Sequence, residues 1–125
     1  MALVLALTAD LLFGSRLQGA LAAAGHDVEL IGDGAALTQR LAATPPPAGA
    51  VLVFDLTDAR LDGSALLEEL AAAGALPGVR TLGFYSHVDV TTRERASRAG
   101  FDLVVPRSRI ARDAAGLVAS LSGGP

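Results

Sequence analysis

The 125-residue chain contains no cysteine, no lysine and no tryptophan. Without thiols it has no disulfides, no thiolate nucleophile and none of the usual zinc sites. Without lysine it has no Schiff base and no P-loop lysine, and all ten basic residues are arginine. The two histidines, His26 and His87, are too few for most imidazole metal centres. Aromatic residues make up only 4% of the chain, so a stacking platform for single-stranded nucleic acid is not expected. The net charge of -3 gives no overall attraction to nucleic acid or to an anionic membrane. No uninterrupted apolar run is long enough to span a bilayer. The apolar N-terminus, Met1 to Leu7, has no basic flank and is cut short by Asp10, unlike a signal peptide. A cytoplasmic location and no membrane partner are the expectation.

What is present is a core-forming composition: 51% of residues are hydrophobic and 18% are charged. The length suits a single domain, read here over residues 1–122 with a frayed tail over 123–125. Strand and helix signals alternate five times. Continuous apolar runs at Leu3–Leu7 and Ala50–Phe54 read as strands buried on both faces, with shorter strands at Val28–Ile31, Thr81–Tyr85 and Leu103–Val105. Helical spacing follows each strand: Phe13, Leu17, Leu21 and Ala24; Leu37 and Leu41; Leu66, Leu67 and Leu70; a segment opened by Thr91 and Glu94; and Ile110, Leu117, Val118 and Leu121. Asp10 stands at a helix N-cap position, Thr91 and Glu94 form a capping box, and Ser108 can cap the last helix. Gly25, Gly74 and Gly100 close helices, and Gly32-Asp33-Gly34 reads as a turn.

Parallel strands joined by helices require right-handed crossovers, which cover the sheet on both faces. The expected fold is therefore an α/β three-layer sandwich, with a five-stranded parallel sheet in the flavodoxin-like order 2-1-3-4-5. Its ligand crevice lies beyond the carboxyl ends of the strands, at the switch between strands 1 and 3. The residues leaving those ends are Thr8-Ala9-Asp10, Asp55, Ser86-His87 and Pro106-Arg107. An aspartate placed directly after Val51-Leu52-Val53-Phe54 is costly near a core without partners. There Asp55 could act as a carboxylate nucleophile toward a phosphoryl group, with Mg²⁺ to screen the oxygens and with Ser86 and Arg107 beside them. It could equally cap its loop. Gly32-x-Gly34 follows the second strand and lacks the third small residue of a dinucleotide fingerprint. His26 reads as a surface turn residue and His87 as a loop residue.

The segment Asp55-Leu56-Thr57-Asp58-Ala59-Arg60-Leu61-Asp62-Gly63 resembles the receiver domain of bacterial response regulators. There a phosphoacceptor aspartate is followed, after a short loop, by an Asp-Gly pair opening the third helix. Gly25-His26-Asp27-Val28 and Ala99-Gly100-Phe101-Asp102-Leu103-Val104-Val105 are similar to two further receiver segments. The resemblance implies that Asp55 is the phosphoacceptor, that Ser86 is the switch hydroxyl, and that the Thr57 carbonyl is a metal ligand. It also exposes departures. Counting back from Gly25 puts Thr8 and Ala9 where receivers carry an acidic pair for Mg²⁺. Asp10, one residue beyond, is either a helix cap or a displaced metal ligand. Pro106 or Arg107 stands where the family has a lysine, and arginine is not a conservative substitute for it. A degenerate receiver with a weakened Mg²⁺ site is the expectation.

Charge is uneven. Residues 91–125 hold six arginines against three acids, and residues 1–90 hold four against ten. By the resemblance, that arginine-bearing region is the output and dimerisation face. The reading is a stand-alone receiver-like signalling protein, not an enzyme. It is expected to accept a phosphoryl group on Asp55, or to bind a partner protein independently of phosphorylation. The partner is a histidine kinase or an output protein, with a homodimer also open. The alternative is an enzyme or binder of a phosphate-bearing ligand that uses the crevice at the ends of strands 1 and 3.

Overall fold

The structure, a computed structural model, describes residues 2–86 and 88–123. Strands and helices alternate from the start: β1 (Leu3–Leu7), α1 (Leu11–Ala23), β2 (Asp27–Ile31), α2 (Gly34–Ala43), β3 (Val51–Asp55), α3 (Gly63–Ala72), β4 (Arg80–Tyr85), α4 (Val90–Ala99), β5 (Leu103–Pro106) and α5 (Arg107–Ser122). The strands form one parallel sheet in the order β2-β1-β3-β4-β5. This is the three-layer arrangement expected from the sequence. Every residue of β3 is buried, as its unbroken apolar run requires of a strand covered on both faces.

Alternation along the strands divides the core in two. Val4, Val51, Val53 and Phe84 face α1 and α5, meeting Phe13, Leu17, Leu21, Ile110 and Leu117. Leu5, Leu7, Leu52 and Phe54 face the other way, toward Leu37, Leu41, Leu67, Leu70 and Ala96. Leu56, just past β3, is wedged between two glycines. A Cβ on Gly63 or on Gly83 would stand 2.8 Å from one of its methyl groups. These two positions are small because the Leu56 methyls occupy the space a side chain would need.

Helix starts depart from the sequence reading at two points. Instead of the Thr91–Glu94 box, Asp89 caps α4, its carboxylate accepting from the Thr92 amide at 2.9 Å and the Thr92 hydroxyl at 2.5 Å. The aspartate stands one residue before the helix, and Thr91 already lies inside it. Ser108 does not cap α5. The helix follows directly from Pro106, whose φ of -64° leads from strand into helix, and no side chain caps it. The expected caps elsewhere hold. Asp10 accepts from the Phe13 amide at 3.0 Å, and Gly25, Gly74 and Gly100 adopt positive φ after their helices. Asp33, read as part of a turn, caps α2 through the Ala36 amide. Ala24, expected on the inner stripe of α1, is its exposed C-cap. His26 is more than a turn residue, since its Nδ1 accepts from the Ala2 amide at 3.1 Å and holds the start of β1. His87 lies outside the described residues. No helix among them is long and apolar enough to cross a membrane.

Candidate functional site

The register of the sheet brings the site together. β1 and β3 are parallel neighbours with Leu7 opposite Phe54, so the next residues, Thr8 and Asp55, leave the sheet side by side. Both are buried, with 6% of Thr8 and 2% of Asp55 exposed. The Thr8 hydroxyl donates to Asp55 Oδ2 at 2.8 Å. On the other oxygen, Oδ1 accepts from the Thr57 amide at 2.9 Å and the Thr57 hydroxyl at 2.6 Å. Three donors thus meet the requirement that a buried carboxylate be hydrogen-bonded. The amide bond comes from the chain turning back on itself after β3, where Asp55 makes an Asx-type turn with Thr57.

Above this pair lies an open hollow of about 360 Å³, lined by Ala9, Asp10, Asp55 and the Thr57–Arg60 segment. The structure therefore gathers Asp55, Thr57 and Asp10 around one hollow. Ser86 and Arg107 are outside its lining. Ser86 lies just past β4, where its carbonyl accepts from the Asp89 amide at 2.8 Å.

Asp10 has two tasks. Oδ1 caps α1, and Oδ2 accepts from the Arg107 guanidinium at 2.9 Å. Its carboxyl is held below the ordinary aspartate value, first by the Phe13 amide and then by Arg107. Arg107 also lies over the Phe13 ring, 4.5 Å from its centroid, a cation–π placement. Asp58, the third acid on the hollow, is likewise engaged. It accepts from the backbone amide of Arg60 and from its guanidinium.

A hard divalent cation such as Mg²⁺ is normally held by one or two carboxylates together with waters. The residues around Asp55 do not fit that requirement. Beside the Asp55 carboxylate stands the Thr8 hydroxyl, a neutral group that gives its proton to Asp55 where a second carboxylate would be needed. Ala9 offers a methyl group, and Asp10 is committed to Phe13 and Arg107. Among the described residues no group of three acidic or imidazole side chains could hold a metal.

The role of Thr8 is the feature that sequence reading missed. The position was legible only as a missing acid. The signal was available in the strand order, because a hydroxyl residue one past β1 stands beside the residue that ends β3.

No family model matches the sequence, and no curated protein is significantly similar to it. Solved structures are similar in fold. A protein of Chloroflexus aurantiacus assigned as a response regulator superposes with a TM-score of 0.83 at 18% identity, covering 96% of each chain. The receiver domain of the Francisella response regulator 1452 gives 0.80 at 18% identity, covering 98% of this chain and 97% of that one. The Mn²⁺-bound form of response regulator Rcp1 gives 0.79 at 14% identity, covering 100% and 98%. Over nearly its whole length, the chain has the fold of the response-regulator receiver domains.

Proposed function

We propose that the chain is a receiver-like signalling module that acts by binding a partner protein, independently of phosphoryl transfer to Asp55. The observation that carries this reading is that both Asp55 oxygens accept hydrogen bonds from within the fold, from Thr8 and Thr57. Phosphoryl attack needs a carboxylate oxygen free to reach phosphorus and a cation to screen the incoming charge. Here each oxygen is tied to a neutral donor, and the acid that could help hold a cation is bound to Arg107.

The partner surface in this reading is the face formed by α4, β5 and α5. Arg93, Arg98, Arg109 and Arg112 are exposed there and form no ion pair among the described residues. Val88 and Val90 are exposed at the start of α4, 74% and 52% respectively. Exposed, unpaired guanidinium groups and exposed valines suit a partner that presents both acidic and apolar side chains. This is an adaptor's role rather than an enzyme's.

The test is incubation with Mg²⁺ and a small acyl-phosphate donor, read by intact mass, with Asp55→Asn run in parallel. No hydroxylamine-labile adduct is expected on the wild-type chain. An adduct that disappears in the variant would establish Asp55 as a working phosphoacceptor and overturn the proposal.

A further inference from the structure

Away from the crevice, a groove of about 320 Å³ runs between α1 and α5. Its floor is Phe13, Leu17 and Ile110, all part of the buried core. Its depth comes from Ala20, Ala111 and Ala114, where larger residues would have filled the space between the two helices. Two arginines, Arg16 and Arg107, stand on its lining. Arg16 is exposed and makes no ion pair among the described residues. Arg107 is shared with Asp10 across a pair in which both side chains remain about two-fifths exposed, at 41% and 42%.

From this arrangement we infer that the α1–α5 groove is a binding site for a small anionic amphiphile, a carboxylate carried on a flat aromatic or short aliphatic body. The volume lies at the lower end of the range for small-molecule sites, and the combination of an apolar floor with a few placed polar groups is their usual chemistry. Guanidinium groups select a planar carboxylate because their forked donors match its two oxygens. The aromatic or aliphatic body packs against Leu12, which lines the groove and is 64% exposed, above the buried floor. The carboxylate takes the Arg107 donors now given to Asp10, and Arg16 adds a second positive charge. Because the Asp10–Arg107 pair is half open to solvent, it contributes little on its own and is exchanged at small cost.

The exchange links the groove to the crevice, since Asp10 lines both. A ligand carboxylate on Arg107 releases Asp10 Oδ2 while Oδ1 still caps α1. Asp10 is therefore a competitor for the site, and removing its charge must strengthen binding. This inference does not rest on the reading of Asp55 above, because none of the groove residues named here bonds to that carboxylate.

The test is titration of the isotope-labelled chain with naphthoate, followed by its amide NMR spectrum, with neutral naphthylmethanol as the uncharged arm. Saturable shifts confined to α1 and the first half of α5 are expected, with naphthylmethanol weaker by roughly tenfold. Arg107→Ala and Arg16→Ala should each weaken naphthoate, while Asp10→Asn, which keeps the capping oxygen, should tighten it. Ala111→Leu fills the groove on an exposed helical position and should abolish binding without unfolding the chain. Equal affinity for the neutral compound, shifts centred elsewhere, no saturation, or weaker binding in Asp10→Asn would each overturn the inference.

Discussion

Thr8 and Asp55, separated by 47 positions in sequence, share a 2.8 Å hydrogen bond at the carboxyl ends of adjacent parallel strands. The bond gives the Asp55 carboxylate a partner from within the fold. Its consequences can be measured without knowing any partner.

Replacing Thr8 by valine keeps the shape and removes the donor. Asp55 then keeps only its Thr57 bonds on Oδ1, and the cost of an unmet buried charged acceptor is about 1–3 kcal/mol. Chemical denaturation should show that loss at neutral pH. Thr8→Asp should be more damaging, since it sets two carboxylates against each other. It should also gain a Tm that rises with millimolar Mg²⁺, a response not expected of the wild type. A wild-type Tm that rises equally with Mg²⁺ would contradict the self-contained site.

Acid sensitivity should reside partly in the contact between β2 and α2. Glu29 accepts two bonds from Arg40, at 2.8 and 3.0 Å, and Arg40 also donates to the Thr44 carbonyl at the end of α2. The Arg40 hydrogen bonds are the largest cause holding the Glu29 carboxyl below its ordinary value of 4.5. A carboxyl depressed in the folded state stabilises fully above its unfolded pKa, and that contribution is lost as pH falls through the folded one. Glu29→Gln has no such contribution to lose. The Tm gap between wild type and Glu29→Gln should therefore narrow as pH drops from 7 to about 3. A gap independent of pH would assign the effect to packing rather than charge.

The fold was largely legible because its signals are local. Apolar runs of strand length, glycine stops and the Asp55-to-Gly63 loop can each be read without knowing what lies opposite. The misreadings involve residues whose partners compete or lie far away. Thr91 and Glu94 match a capping box, but Asp89, two residues earlier than Thr91, reaches the free amide first and sets the start of α4. Ser108 has the right chemistry for a cap, but Pro106 starts the helix before it. Arg107 looked available for a phosphoryl group from its place after β5. Its actual partner, Asp10, lies 97 positions away in sequence, and no local pattern announces that bond. Thr8 belongs to the same class, because its meaning appears only once β1 is laid beside β3.

The last helix contains a break that couples two of its residues. Asp113 sits at φ -144° and ψ 43° in the middle of α5, dividing it into two helical stretches. Its carboxylate folds over Gly116, where a Cβ would stand 2.5 Å from Oδ1 and 2.7 Å from Oδ2. Glycine normally weakens a helix by roughly 0.5–1 kcal/mol relative to alanine. At this position the gain from alanine should be smaller, because Gly116→Ala must first swing aside the exposed Asp113 carboxylate. In the wild-type background the substitution is expected to stabilise by less than the ordinary helix-propensity difference. In an Asp113→Ala background the obstacle is gone, and the same Gly116→Ala change should stabilise by about the ordinary helix-propensity difference. The two residues are then coupled, which a double-mutant cycle on unfolding free energies measures directly. Additive effects of the two substitutions would mean that the Asp113 carboxylate is not what keeps position 116 a glycine.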